Sequence, residues 1–185
     1  MNALIASIRL AVFSLIVCCV AYPLAVWQFA RLAAPETAEA SLMRGPDGSV
    51  VGSSLIGQVF SSPGYFWPRP SAVDYNAAAA AGSNLSPASE KVRERGAKMV
   101  DLHGATPANP LPPDLATASG SGLDPDISLE AALFQAPRVA TARGLDEAEV
   151  RALVADLAVS GPLTPRPRVN VLRVNLALHQ LSSVP

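Results

Sequence analysis

Apolar and polar residues are divided unevenly along this chain. Residues 10–30, LAVFSLIVCCVAYPLAVWQFA, run without a charged residue between Arg9 and Arg31. As a helix rising about 1.5 Å per residue the run extends roughly 32 Å, the thickness of a hydrocarbon core, so one membrane-crossing helix is predicted. Pro23 inside it removes a backbone donor, which predicts a kink or a local adjustment of the helix. Trp27 and Gln28 stand near the end of the span, where an indole N–H stays wet. Ala38-Glu39-Ala40 has the small-x-small pattern of a cleavage site but lies eight residues past Ala30. Ahead of Cys18, Val17 occupies the place where a lipoprotein box needs a small residue. A retained anchor is the better reading.

Beyond the anchor the pattern turns irregular. Residues 31–48 read as a stalk, closed by turn chemistry at Gly45-Pro46-Asp47-Gly48, and Ser49-Val50-Val51 as a strand. The segment PGYFWPRPS, residues 63–71, sets three aromatics among prolines and is predicted to be a rigid loop. Ser86-Pro87 predicts a helix over 87–102 with Val92, Met99 and Val100 inward. Ser128 predicts the cap of a helix starting at Leu129 that Pro137 interrupts early. Asp146 to Glu149 has capping-box spacing, and Val150, Leu153, Val154 and Leu157 recur at helical intervals; Gly161-Pro162 is the expected stop. Val169–Asn175 alternates as a strand, with a phase shift at Val171-Leu172, and Leu176–Leu181 follows as a helical turn. The expected class is α+β: a single N-terminal transmembrane helix followed by one mixed domain, with boundaries 1–9, 10–30, 31–48 and 49–185.

Composition adds limits. Only 16% of the 185 residues are charged and 50% are hydrophobic. With Arg9 set aside, residues 31–185 hold 13 basic and 15 acidic residues, not the strongly basic balance of a nucleic-acid surface. Both cysteines, Cys18 and Cys19, lie in the anchor, so thiol catalysis and disulfides are excluded from the rest of the chain. A short N-terminal tail carrying Arg9 and no acid favours a cytoplasmic N-terminus and an extracytoplasmic domain.

Candidate chemistry is sparse. His103 and His179 are isolated, and Asp124-Pro125-Asp126 with Glu130 lacks the register of a calcium loop, so no metal is expected. Gly52–Gln58 has glutamine where a phosphate-binding loop has lysine. Ser119, Ser121, Asp124 and His179 do not form a G-x-S-x-G elbow, and no catalytic residue is assigned. Ser119, Gly120, Ser121 and Gly122 lie ahead of a predicted helix within whose reach are Gln135 and Arg138, a candidate nucleotide or anion contact beside the plainer reading of a glycine turn. Tyr65, Phe66, Trp67 and Arg69 are candidate partner anchors, or a packed loop.

Taken in order, several segments resemble one family across nearly the whole chain. They are the anchor, Gly52-Ser53-Ser54-Leu55-Ile56-Gly57-Gln58, Tyr65-Phe66-Trp67-Pro68-Arg69-Pro70-Ser71, Asp74-Tyr75-Asn76, Gly82-Ser83-Asn84-Leu85, Thr117 through Pro125, Gln135 with Arg138-Val139-Ala140 and Arg143, and Val169-Asn170-Val171-Leu172. The chain resembles the C subunit of the bacterial Kdp potassium-transporting ATPase. The resemblance implies a non-catalytic subunit, anchored in the inner membrane by one helix, that assembles with a channel-like potassium-translocating subunit and a P-type ATPase subunit. It also implies a role in assembly and in raising that subunit's affinity for ATP, with no firmly bound cofactor and ATP met, if at all, through the partner. The chain departs from the family's usual pattern at Ala81, Asp126, Arg173 and His179. Because the anchor favours an external domain while ATP is cytoplasmic, indirect coupling fits better than direct contact. The alternative is a membrane-tethered extracytoplasmic ligand-binding module, which calls for a deep polar pocket near Ser119 to Asp124.

Overall fold

A computed structural model describes residues 2–161 and 164–181. The chain divides into two compact units, Met1–Leu42 and Met43–Pro185. In the first, α1 (Asn2–Leu15), a π-helical stretch (Ile16–Ala21) and α2 (Tyr22–Ala33) form one helix of 32 residues, within which an 18-residue stretch reaches a mean hydropathy of 2.5. By length and composition it can cross a membrane. The adjustment expected near Pro23 takes the form of the π stretch just before it, where the Tyr22 N–H reaches back to the Val17 carbonyl. Arg31 lies over the Trp27 ring and pairs with Glu39 at 3.2 Å. One short helical turn, α3 (Pro35–Ala38), follows.

The second unit opens on a hairpin of β1 (Leu42–Arg44) and β2 (Val50–Ser53). Its turn is the predicted one: the Gly45 N–H donates to the Ser49 carbonyl, Asp47 accepts from the Ser49 N–H and hydroxyl, and Gly48 sits at φ +78°. A long irregular stretch leads to α4 (Glu90–His103). This helix starts later than expected because Ser86 closes a turn instead, accepting from the Ala88 N–H, and Ser89 takes the N-cap position. No residue of α4 is buried, and Val100, expected inward, is 39% exposed.

Most of the core is built from the chain beyond α5 (Pro113–Ala116). Strands β3 (Asp126–Ser128), β4 (Val159–Gly161) and β5 (Thr164–Asn170) form an antiparallel sheet in the order β3-β5-β4. Helices α6 (Leu129–Arg143), α7 (Glu147–Asp156) and α8 (Val171–Leu181) supply the remaining buried surface. Ile127 and Val169 face each other across the sheet and join Ala136, Val139, Val150, Val154, Val174 and Leu178 in one apolar cluster with Phe66 and Leu115. Ser128 caps α6 by accepting from the Ala131 N–H at 3.0 Å, and Asp146 caps α7 by accepting from the Ala148 N–H at 2.8 Å.

Three further boundaries differ from expectation. Pro137 does not interrupt α6, which continues to Arg143 and Gly144 at φ +67°. The missing donor costs about 3 kcal/mol, and the burial of Ala136, Val139 and Ala140 around it offsets that loss. Helix α7 stops at Asp156 rather than at Gly161-Pro162; Gly161 pairs with Thr164 in the sheet, and Pro162 lies outside the described residues. The expected strand Val169–Asn175 ends at Asn170, whose Oδ1 accepts from the Arg173 N–H and so caps α8. Val171, Leu172, Val174, Asn175 and Leu178 are buried at helical spacing. The architecture is α+β: one N-terminal apolar helix followed by a mixed helix and strand domain.

Candidate functional site

The aromatic loop is held by side chains that imitate a neighbouring strand. Extended backbone around prolines must find partners for its N–H and C=O groups, and among the described residues no strand pairs with this loop. Asn175 on α8 accepts from the Phe66 N–H at 2.8 Å and donates to the Phe66 carbonyl at 3.0 Å. Gln135 on α6 does the same one residue along, accepting from the Trp67 N–H at 2.9 Å and donating to the Trp67 carbonyl at 3.1 Å. Asn175 is 2% and Gln135 1% exposed, so these bonds form where water does not compete. Between them Phe66 is driven fully into the core.

Tyr65 and Trp67, which flank Phe66, stay half-buried. Arg138 of α6 reaches under the loop, donating to the carbonyls of Pro63 and Tyr65 and to Gln135 Oε1 at 2.7 Å. Its guanidinium lies 3.8 Å from the centre of the Trp67 ring. Burial lowers the Arg138 pKa to about 10, a value that keeps it charged. The Trp67 ring meets His103, from the end of α4, edge-on at 5.2 Å between centroids, and the Trp67 indole N–H donates to the Ser62 carbonyl at 2.9 Å. Burial, and secondarily the charge of Arg138, pull the His103 pKa down to about 4, so His103 is neutral at pH 7. On the other side the Tyr65 hydroxyl meets His179 Nε2 at 3.0 Å, and Arg143 lies over the Tyr65 ring at 4.9 Å. Tyr65 and His179 line an apolar groove of about 230 Å³ with Val51, Phe60, Leu172 and Leu176.

The glycine-rich segment forms a second cluster on other partners. The Ser119 N–H donates to the Pro70 carbonyl, the Ala81 N–H to the Ser121 carbonyl, and the Ser71 hydroxyl to the Gly122 carbonyl at 2.7 Å. Gly122 sits at φ +70°, and a Cβ there would come within 2.5 Å of Val73 Cγ2 and 2.9 Å of the Ala81 carbonyl oxygen. Its glycine is required both by conformation and by the close approach of another backbone. Ser119 is 2% exposed, and its Oγ has no hydrogen-bond partner among the described residues. Arg69 pairs with Asp124 at 2.9 Å, tying the end of the aromatic loop to this segment. Tyr75 donates its hydroxyl to the Arg69 carbonyl at 2.6 Å, and burial, with Asp74 adding to it, raises the Tyr75 pKa to about 12.

The six residues grouped as a nucleotide or anion contact are thus divided. Ser119, Gly120, Ser121 and Gly122 join the Pro70–Gly82 stretch, and strand β3 separates them from α6. Gln135 and Arg138 join Pro63–Trp67. The partner-anchor residues stand together on one loop, with Phe66 in the core, Tyr65 and Trp67 at the surface and Arg69 in an ion pair. Sequence reasoning missed Asn175, Arg143 and His103 as holders of that loop. Asn175 carried a signal: an amide among the apolar residues of α8 is buried only where it is fully bonded.

Among proteins of known sequence this arrangement has many relatives. A family model described as KdpC, K+-transporting ATPase c chain, matches residues 4–180. A protein named potassium-transporting ATPase KdpC subunit from Parvibaculum lavamentivorans is 49% identical over 185 residues, covering 99% of each chain. Proteins of the same name from Caulobacter vibrioides and Cereibacter sphaeroides are 51% and 52% identical, covering 85% and 86% of this chain and 83% and 86% of theirs. Similarity of this extent, end to end through the anchor, the clamped loop and the glycine cluster, means that the chain belongs to the KdpC family, the c chain of K+-transporting ATPases.

Proposed function

We propose that this chain is a non-catalytic accessory subunit of a high-affinity potassium uptake pump, and that it assists assembly and raises the apparent ATP affinity of the P-type ATPase subunit. The observation that carries the reading is the family match over residues 4–180. The apolar helix anchors the chain in the inner membrane with the N-terminus cytoplasmic and the domain outside. Its partners are the channel-like potassium-translocating subunit and the ATPase subunit of the same complex.

With the domain outside and ATP inside, the effect on ATP is indirect. A subunit that binds one conformation of the pump more tightly shifts the equilibrium toward it, and a differential of 1–3 kcal/mol changes an affinity roughly 5- to 150-fold. Gln135 fits a structural role in this scheme, because among the described residues its side-chain hydrogen bonds go to the loop and to Arg138. A rigid loop suits such a lever. Bonds formed in advance leave little ordering entropy to lose on binding.

The test compares purified complex with and without the chain, reading potassium-stimulated ATP hydrolysis across ATP concentrations. The expected result is a severalfold rise in KM for ATP, or failure of the complex to assemble, when the chain is absent. Unchanged assembly together with unchanged KM would sink the proposal.

A further inference from the structure

Exposed aliphatic side chains are bunched at one place outside the anchor helix. Among the described residues beyond α2, the stretch 42–59 holds five of them, Leu42, Val50, Val51, Leu55 and Val59, the last 70% exposed. The rest of the domain, though far longer, holds three: Val100, Leu102 and Val159. The same stretch is poor in charge. Arg44 and Asp47 are its only ionised side chains, both bonded within the hairpin turn, and no further acid or base follows before Arg69. Val51 lines the apolar groove beside Phe60 and Leu172, so alternation along β2 turns Val50 to the opposite, open face. On β1, Leu42 and Arg44 are exposed on either side of half-buried Met43.

Chain connectivity limits what this stretch can meet. Helix α2 ends at Ala33 and β1 begins at Leu42, nine residues later, a path that even fully extended reaches at most about 30 Å. The path is shorter than that, because its backbone is bonded step by step. The Ala34 N–H donates to the Ala30 carbonyl, the Ala38 N–H to the Ala34 carbonyl at 2.9 Å, and the Ser41 N–H to the Glu36 carbonyl at 2.8 Å. The Arg31–Glu39 ion pair spans the same joint. Trp27 and Arg31, stacked at the end of the helix, are side chains of the kind that settle at headgroup level. The hairpin therefore begins within reach of the lipid boundary.

Exposed aliphatics in a charge-poor stretch, tethered close to a bilayer, suit the region where headgroups meet acyl chains: apolar side chains are buried there while turn backbone stays hydrated. A protein interface draws more on arginine and aromatic anchors. The rings nearest in sequence, Tyr65 and Trp67, are already stacked on Arg143, Arg138 and His103. We propose that residues 42–59 rest on the surface of the membrane that the anchor crosses, with Leu42, Val50, Leu55 and Val59 seated in the lipid interface. The membrane then holds the domain at a second place besides the helix. The inference rests on the anchor crossing a membrane and goes beyond it; it does not depend on how the chain acts on ATP affinity.

The test uses the full chain, alone and in the complex recovered with it, in phosphatidylcholine nanodiscs. In a background of Cys18→Ala and Cys19→Ala, one cysteine is introduced at a time as Val50→Cys, Val59→Cys, Val159→Cys or Phe13→Cys and labelled with an environment-sensitive fluorophore. A thermal melt of each labelled chain checks folding. Lipids carrying a nitroxide, near the headgroup or in mid-chain, and iodide in the water serve as opposed quenchers. Shallow nitroxide lipid is expected to quench the probes at Val50 and Val59 at least about threefold more than the probe at Val159, in both preparations. Equal quenching at these three positions, with the Phe13 probe quenched by mid-chain nitroxide, would overturn the inference and leave the anchor standing. Probes at Val50 and Val59 that are shielded from iodide only in the complex, and not quenched by lipid, would overturn it in favour of a protein partner. A Phe13 probe that lipid does not quench would overturn the anchor reading and this inference together.

Discussion

Asn175 binds both the N–H and the C=O of Phe66, and so a single amide on α8 fixes the most buried aromatic of the chain from 109 positions away in sequence. The bond pair works only because the amide carries a donor and an acceptor side by side.

Asn175→Asp keeps the acceptor for the Phe66 N–H but sets a carboxylate against the Phe66 carbonyl. Asn175→Leu abandons both. Each leaves a buried polar group unmatched, at about 1–3 kcal/mol per group, so both variants should unfold at lower temperature, the aspartate recovering part of the loss at low pH. Thermal melts of the detergent-solubilised chain, followed by circular dichroism, check this. Stability equal to wild type in both would show that the clamp contributes nothing.

His103 gives a pH dependence with a definite sign. Its folded pKa, lowered to about 4, lies below the ordinary 6.5, so between these values the unfolded chain binds the extra proton. The contribution from keeping His103 neutral is fully present above about pH 6.5 and is lost as pH falls toward 4. Because the ring is only partly buried, the expected loss from pH 7 to pH 5 is about 1 kcal/mol, discounted for solvent screening. His103→Gln should flatten this segment of the stability profile measured by chemical denaturation; a slope identical to wild type would reject the assignment.

Gly122 and Gly96 should respond to alanine in opposite directions. A Cβ at Gly122 meets Val73 and the Ala81 carbonyl at a positive φ, whereas at Gly96, inside α4, it meets nothing within 4 Å. Gly122→Ala is expected to cost about 2 kcal/mol or more. Gly96→Ala should stabilise the helix by up to about 1 kcal/mol. Paired denaturation curves decide it, and a neutral Gly122→Ala would contradict the close approach described.

Arg138→Lys retains charge but loses the fork that reaches Pro63, Tyr65 and Gln135 and the flat face against Trp67. A red shift and faster quenching of Trp67 emission, read in a chain with Trp27→Phe, should accompany a loss of about 1–3 kcal/mol. An unshifted spectrum would mean that the loop is held without Arg138.

The legible parts of this fold were those specified locally. The apolar run, the Gly45–Gly48 turn and the caps Ser128 and Asp146 each rest on residues within a few positions of one another. What the sequence concealed depended on distant packing. Pro137 reads as a stop because its own peptide lacks a donor, and only the core around Ala136 and Val139 carries the helix through it. Asn170 and Val171 sit where strand becomes helix, and alternation alone could not place that join. At the candidate site, the aromatic loop announced itself through its prolines and rings. The glycine cluster looked like a ligand turn because Pro70, Ser71 and Ala81, which consume its backbone groups, lie about 40 to 50 positions upstream.

The π-helical stretch at Ile16–Ala21 bears on how this chain meets its neighbours. A π turn accommodates one residue more than an α turn, and one residue corresponds to roughly 100° of rotation about the axis. A stripe that follows 3.6-residue spacing through Phe13 is therefore out of phase once the chain reaches Leu24 and Val26. An adjoining transmembrane helix lying along one side of α1 meets, past the π turn, side chains that a uniform helical wheel would assign to the opposite flank. Cross-linking positions or packing substitutions chosen from such a wheel would misplace the contact on one half of the span, and two separate wheels, one for each half, are needed to find it.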